Sequence, residues 1–266
     1  MNINEFLKNL NDASSTKMKR NDIYDKCKYS VSKIIEVIKE PFDKDKIALM
    51  CFTKGFNDPE SKYYHMSVEE IKAAWQAKAD LGMANGKILD GYIGLVLDSF
   101  TPKDIIEKYT SCLDEKPLKK CQTFKKFYDT NIASGKLNYL TREKILADES
   151  LGVVGRFDAL FTINDNTLLL IDWKNTENID TDNKWKKLRG PLNAYDDCDF
   201  NTYTIQLYIY VYILRKVYKL KDMKIIPMIV QIGTDDFKMY VPTIPYSDKL
   251  VEDVITYAKE QINKSN

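Results

Sequence analysis

A mixed α/β or α+β domain is the fold class this sequence predicts, on two observations. Apolar residues recur at helical spacing through the first half of the chain, and from Leu137 they become strand-like runs of Val, Ile, Leu and Phe. After that switch the order reads β-β-β, a helix, β-β and a closing helix. No internal repeat, low-complexity segment or Gly/Ser-rich linker breaks the chain. One domain over 1–266 is expected, with a helical N-terminal region at 1–135 packed around a sheet core at 136–266.

Each element has its own warrant. Met1 to Lys28 is polar and lysine-rich, with Phe6, Leu7 and Leu10 as anchors, and reads as a short helix and a lead-in. Val31, Ile34, Ile35 and Ile38 share a helix face, and Pro41 ends that helix. Ser67 to Glu70 spells a capping box that opens a helix through Ile71, Ala74 and Trp75. Gly82 and Gly86 should interrupt or thin its continuation through Ile88, Leu89, Tyr92, Ile93 and Val96. Thr101-Pro102 starts another helix, with Pro at its first position. Leu118 to Ala133 is a further helix closed by Gly135, with Lys116, Lys119, Lys120, Lys125 and Lys126 on one exposed face. Leu137–Ala147 and Val153–Lys174 read as three strands, and Asn175–Phe200 as loop. Tyr203–Leu220 is an apolar-aromatic helix, Met223–Ile232 and Lys238–Val241 are strands, and Ser247–Ile262 is the closing helix.

Composition narrows the class. Hydrophobic residues are 44% and charged residues 30%, a globular balance, and the net charge of +1 leaves any basic surface local. Five cysteines without a CxxC pair argue against a disulfide framework or a structural zinc site and fit a reducing compartment. The first residues lack a signal peptide's apolar stretch, and no run is long enough to span a membrane. A cytoplasmic protein with no membrane partner is expected. The sole histidine, His65, precedes a helix cap and reads as a surface or capping residue.

The stretch Gly155 to Lys174, GRFDALFTINDNTLLLIDWK, carries the chemistry. Two strands meet at Asn164-Asp165-Asn166, residues that tolerate tight turns. With those three as the loop, Ile163 faces Thr167 and Asp158 faces Asp172. Directly opposed Cβ atoms lie about 4.5–5.5 Å apart, where like charges repel. A divalent cation would offset that repulsion. Alternation puts Asp172 and Lys174 on one face and Trp173 on the other. Two acids and a lysine so placed suit Mg²⁺-assisted phosphodiester hydrolysis, and they equally suit a solvated salt bridge at a strand end.

Gly155-x-x-Asp158, Asp172-Trp173-Lys174 and Gln206-x-x-x-Tyr210 together resemble the PD-(D/E)XK nuclease superfamily, and more narrowly its RecB-like exonuclease branch. GRFDALFTINDNTLLLIDWKN, PLNAYDDCDFNTYTIQLYIYVYIL and the upstream SVSKIIEVIKEPFD, YYHMSVEEIKAAW and ANGKILDGY are similar to bacteriophage and large-virus members, over most of Tyr29 to Leu214. The resemblance implies a restriction-endonuclease-like core, a central mixed sheet flanked by helices. It implies Asp158, Asp172 and the Trp173 carbonyl as ligands of Mg²⁺ or Mn²⁺, Lys174 as the catalytic lysine, and Gln206 and Tyr210 in support. Glu143 matches an acidic position in the viral relatives, and a glutamate facing water reads equally well. Asp90 stands where the branch commonly has a metal-binding histidine, four residues after Gly86. It is either a further ligand or an outward residue beside Lys87. No cysteine follows Cys198, so no iron–sulfur cluster is expected.

Lys184, Trp185, Lys186, Lys187 and Arg189 interleave cations with an aromatic ring soon after the Asp-x-Lys strand, a pattern suited to phosphate contact and base stacking. The implied activity is a metal-dependent deoxyribonuclease, an exonuclease in viral DNA recombination, replication or processing. Its partners would be single- or double-stranded DNA and viral replication or recombination proteins, in an infected host cell. Two alternatives stay open: an endonuclease or junction-cutting enzyme on the same core, and a nucleic-acid-binding protein that keeps the fold without catalysis.

Overall fold

The computed structural model describes residues 3–13 and 17–264. In chain order the elements are α1 (Ile3–Ala13), α2 (Lys17–Lys26), β1 (Tyr29–Ser30), α3 (Val31–Ile38), α4 (Lys44–Gly55), α5 (Val68–Leu97), α6 (Lys103–Ser111) and α7 (Glu115–Asn131), then β2 (Asn138–Asp148), β3 (Val153–Asn164), β4 (Thr167–Lys174), α8 (Asp199–Lys216), β5 (Lys224–Ile232), β6 (Phe237–Tyr240) and α9 (Asp248–Lys264). They fall into two compact units. One comprises the residues up to Glu40 and from Gln122 onward; the other is Pro41–Cys121.

The first unit is a mixed α/β structure built on one six-stranded mixed sheet flanked by helices. The strand order is β1-β3-β4-β5-β6, with β2 also paired to β3. β2/β3, β3/β4 and β5/β6 are antiparallel, while β1/β3 and β4/β5 are parallel. A parallel pair cannot be closed by a hairpin. The chain therefore leaves β4, runs through residues 175–198 and returns along α8. That helix is apolar and aromatic around its circumference because nearly all of it is buried. It shares one core with α1, α3, α9 and the strands, including Phe6, Ile34, Leu168, Leu170, Ile209 and Val254. On β4, Leu168, Leu170, Asp172 and Lys174 alternate onto that face, so the apolar core gives way to charge at the strand's end. Trp173 points to the opposite face and packs edge-on against Phe124 and Phe127 of α7 and Phe161 of β3.

The second unit is α-helical. The capping box at Ser67 and Glu70 is formed in both directions. The Tyr109 hydroxyl donates to the Ile88 carbonyl at 2.8 Å and lies against Gly91, where a Cβ would come within 2.6 Å of it. No described helix is long and apolar enough to cross a membrane.

Several expectations needed correction. α5 runs unbroken through Gly82 and Gly86, because glycine costs only about 1 kcal/mol relative to alanine inside a helix and thirty residues absorb it. Pro102 caps α6 from outside, with extended backbone, and Lys103 is the first helical residue. α4 was not anticipated: Ile47 to Phe52 is an unbroken apolar run with no helical stripe. α8 starts at Asp199, within the expected loop, and a single 3-10 turn forms at Gly190–Leu192. Lys120 is buried, apart from the exposed Lys116, Lys119, Lys125 and Lys126. At the hairpin tip Asn164 pairs with Thr167, so the turn is Asp165-Asn166 and Ile163 is the extra residue of a bulge.

Candidate active site

The β3–β4 ladder keeps the expected register from Thr162↔Leu168 to Ala159↔Ile171. At its end the Asp158 carboxylate crosses to β4, where Oδ2 accepts the Trp173 backbone N–H at 2.8 Å. Asp172 is 3% exposed, and Lys174 Nζ lies 2.7 Å from its Oδ2. The contact is a close ion pair without the alignment of a hydrogen bond, and Oδ2 has no aligned donor among the described residues. The two acids are thus compensated by an ammonium and an amide.

That compensation is partial. Burial, and then the Asp172 charge, push the Asp158 carboxyl above the usual range; Lys174 and the Trp173 N–H oppose them. For Lys174, burial works against the ammonium, but the charge and contact of Asp172 outweigh it and raise the pKa. Carried on from Arg142↔Ala159 and Lys144↔Phe157, the β2–β3 register brings Glu143 opposite Asp158. Its backbone is left-handed, with φ +54°, and Oε2 lies 2.8 Å from Arg156 Nε. A non-glycine residue held there stores about 1–3 kcal/mol of strain.

α8 braces both strands. Tyr203, Gln206 and Tyr210 lie three and four residues apart, on one stripe. Gln206 donates to the Tyr210 phenol, whose own hydroxyl donates to the Arg156 carbonyl at 2.9 Å. Burial raises the Tyr210 pKa, so the phenol stays protonated. Gly155 admits this contact: a Cβ there would meet Tyr210 Cε1 and Val31 Cγ2, each at 2.7 Å. The Tyr203 ring lies under the Lys174 ammonium, with Nζ 4.0 Å from the ring centroid. The sequence did not single out Tyr203, because tyrosines surround α8 and only the fold tells which one meets Lys174.

The basic loop has a frame of its own. Asn183 Oδ1 accepts the backbone N–H groups of Trp185 at 3.1 Å and Lys186 at 3.2 Å, while its Nδ2 donates to the Asp197 carbonyl at 2.7 Å. Lys187 pairs with Asp196 at 2.5 Å, and the Arg189 N–H donates to the Ile38 carbonyl at 2.8 Å. Trp185 is 92% exposed, with exposed Lys184 and Lys186 on either side.

Asp90 belongs to the second unit, exposed on α5, where its charge helps raise the Tyr109 pKa after burial and Cys121. His65 is exposed, has φ +54° and lies against Phe56 and Tyr64 in the turn before α5. Among the described residues, no group of three or more His, Cys, Asp or Glu side chains is gathered as a metal site. The donors at hand are Asp158 and Asp172, hard oxygen ligands that suit a cation keeping most of its waters. The unaligned, buried Asp172 Oδ2 fits such a use.

No protein-family profile matches the chain, and no curated protein does. Among solved structures, the chain is similar to a protein from Eubacterium rectale described as a "Putative exonuclease", at 12% identity and a TM-score of 0.40, over 69% of this chain and 65% of that one. The chain thus spans a little under two thirds of that protein's length.

Proposed function

We propose that this chain is a metal-dependent nuclease that hydrolyses DNA phosphodiester bonds, acting as an exonuclease in viral DNA recombination, replication or processing. The observation that carries the reading is the end of β4. Two acids on neighbouring strands share one buried face, with a lysine ammonium 2.7 Å from one of them. Ordinary salt bridges lie in solvent; charges buried together in this way mark sites of chemistry.

Asp158 and Asp172 would hold Mg²⁺ or Mn²⁺, with the Trp173 carbonyl as a further oxygen. Such a cation, when bound, polarises the phosphodiester and lowers the pKa of an attacking water. Lys174 would offset the negative charge that grows on the phosphate oxygens, from a largely buried position where water screens little. Tyr210 fixes the β3 backbone two residues before Asp158, and Gln206 fixes Tyr210. Lys184, Lys186 and Arg189 would contact phosphates and Trp185 a base, while Lys187 is engaged by Asp196.

End-labelled single- and double-stranded DNA, incubated with Mg²⁺, Mn²⁺ or EDTA, tests the reading. Release of labelled mononucleotides with either metal and none with EDTA is expected. Internal fragments would assign an endonuclease, and binding without cleavage under every condition would leave a DNA-binding protein on this fold.

A further inference from the structure

The Lys174 side chain is 18% exposed, and its ammonium has two neighbours that compensate its charge: the Asp172 carboxylate at 2.7 Å and the face of the Tyr203 ring at 4.0 Å. A buried ammonium is costly unless every side of it is met. We propose that Tyr203 is a positioning residue for Lys174, its ring face holding the ammonium over the paired carboxylates by a cation–π contact. The catalytic consequence rests on the nuclease reading above; the contact itself does not.

The chemistry of the ring explains why it stands there. A third carboxylate in that place would attract the ammonium, but would also repel a phosphate. An aromatic face attracts the ammonium through its quadrupole and adds no net charge, and the attraction grows as the pair is desolvated. Tyr203 itself is half-buried, near the start of α8 and one turn before Gln206. The same helix stripe that grips β3 through Tyr210 therefore grips β4 through Lys174. One rigid element sets the distance between Asp158 and the lysine. Lys174 is the last residue of β4, its backbone still paired with Gln231 of β5, but that pairing does not fix a long, flexible side chain. With four rotatable carbons to order, the lysine gains most from a contact that fixes its head.

The test compares Tyr203→Leu, Tyr203→Phe and a phenylalanine at 203 carrying one, two or three fluorines, which keep the ring's shape and weaken its face. In the metal-free protein the Lys174 Hε protons should be shifted upfield by the ring current in wild type and Tyr203→Phe, and should return to the ordinary lysine position in Tyr203→Leu. On DNA with Mg²⁺, Tyr203→Leu should lose about tenfold or more in kcat with KM little changed, Tyr203→Phe should restore most of the loss, and kcat should fall stepwise with fluorine number. Flat activity across the fluorine series would overturn the positioning role, as would Tyr203→Phe being as impaired as Tyr203→Leu. Lys174 protons indifferent to the loss of the ring would overturn the contact. If wild type cleaves no DNA, the nuclease reading fails alone, and the Hε resonances still decide the contact. If Tyr203→Leu does not fold, the fluorine series and Tyr203→Phe carry the test.

Discussion

At the end of β4, Asp172 is 3% exposed and Lys174 lies against it; a short way along the chain, Lys184 and Lys186 stand in solvent beside Trp185, itself 92% exposed. Both stretches look alike as sequence, with charge around a tryptophan. Their tryptophans face opposite fates: Trp173 is packed among Phe124, Phe127 and Phe161, and Trp185 packs on nothing comparable among the described residues. The difference is burial. Opposed acids in solvent would be screened, whereas at β4 burial, and then the charge of Asp172, raise the pKa of the Asp158 carboxyl. In the loop, Lys187 and Asp196 simply cancel. On the proposed reading, the β4 face would carry the chemistry and the loop would contact the DNA.

Breaking the buried side should have the larger effects. Lys174→Met should cut the DNA cleavage rate by about 10²–10³-fold while the protein stays folded, as seen by single-turnover digestion and circular dichroism. A rate within a few-fold of wild type would make the lysine a plain salt-bridge partner. Gly155→Val forces Tyr210 and Val31 away from β3 and should destabilise the protein by about 1–3 kcal/mol in urea unfolding. Tyr210→Phe removes the bond to the Arg156 carbonyl and the one received from Gln206, and should cost about 1–2 kcal/mol by the same measurement.

A pH series sharpens the same point. The Asp158 pKa is raised in the fold, so the native state holds its proton more tightly than the unfolded chain does. Its contribution to stability is fully present below the unfolded carboxylate pKa of about 4, and is lost as pH rises through the folded value. Asp158→Asn keeps the shape without the titration. Its melting temperature, in metal-free buffer, should gain steadily on wild type from about pH 4 upward. A constant difference across the range would mean that Asp158 is an ordinary carboxylate.

On the exposed side, removing Lys184 and Lys186 together should flatten the salt dependence of DNA binding by about 0.7–0.9 in log–log slope for each phosphate that is no longer neutralised, with folding unchanged. An unchanged slope would leave the loop solvated.

The sequence made the hairpin legible because two strong strand patterns met at turn residues, and the pairing from Thr162 to Ala159 follows directly. It missed the bulge at Ile163, since the choice between a two- and a three-residue turn rests on backbone geometry that Asn and Asp both allow. α4 was hidden by its own composition: Leu49 and Met50 are exposed within an apolar run, so no stripe marks a buried face. The acids and the lysine could be placed on one face from the hairpin register and side-chain alternation. What holds them could not. The Trp173 amide on Asp158, the Tyr203 ring under Lys174 and the left-handed backbone of Glu143 are tertiary facts with no period or motif to announce them.

The central claim is that the buried face of β4 is where a phosphodiester is hydrolysed. Asp172→Ala removes the acid that Lys174 leans on and leaves the apolar part of the strand in place. Cleavage of end-labelled DNA by this variant and by wild type, at saturating Mg²⁺ and with matched circular dichroism spectra, tests the claim most directly. The account predicts product from wild type and none above background from Asp172→Ala; undiminished cleavage by the variant would contradict it.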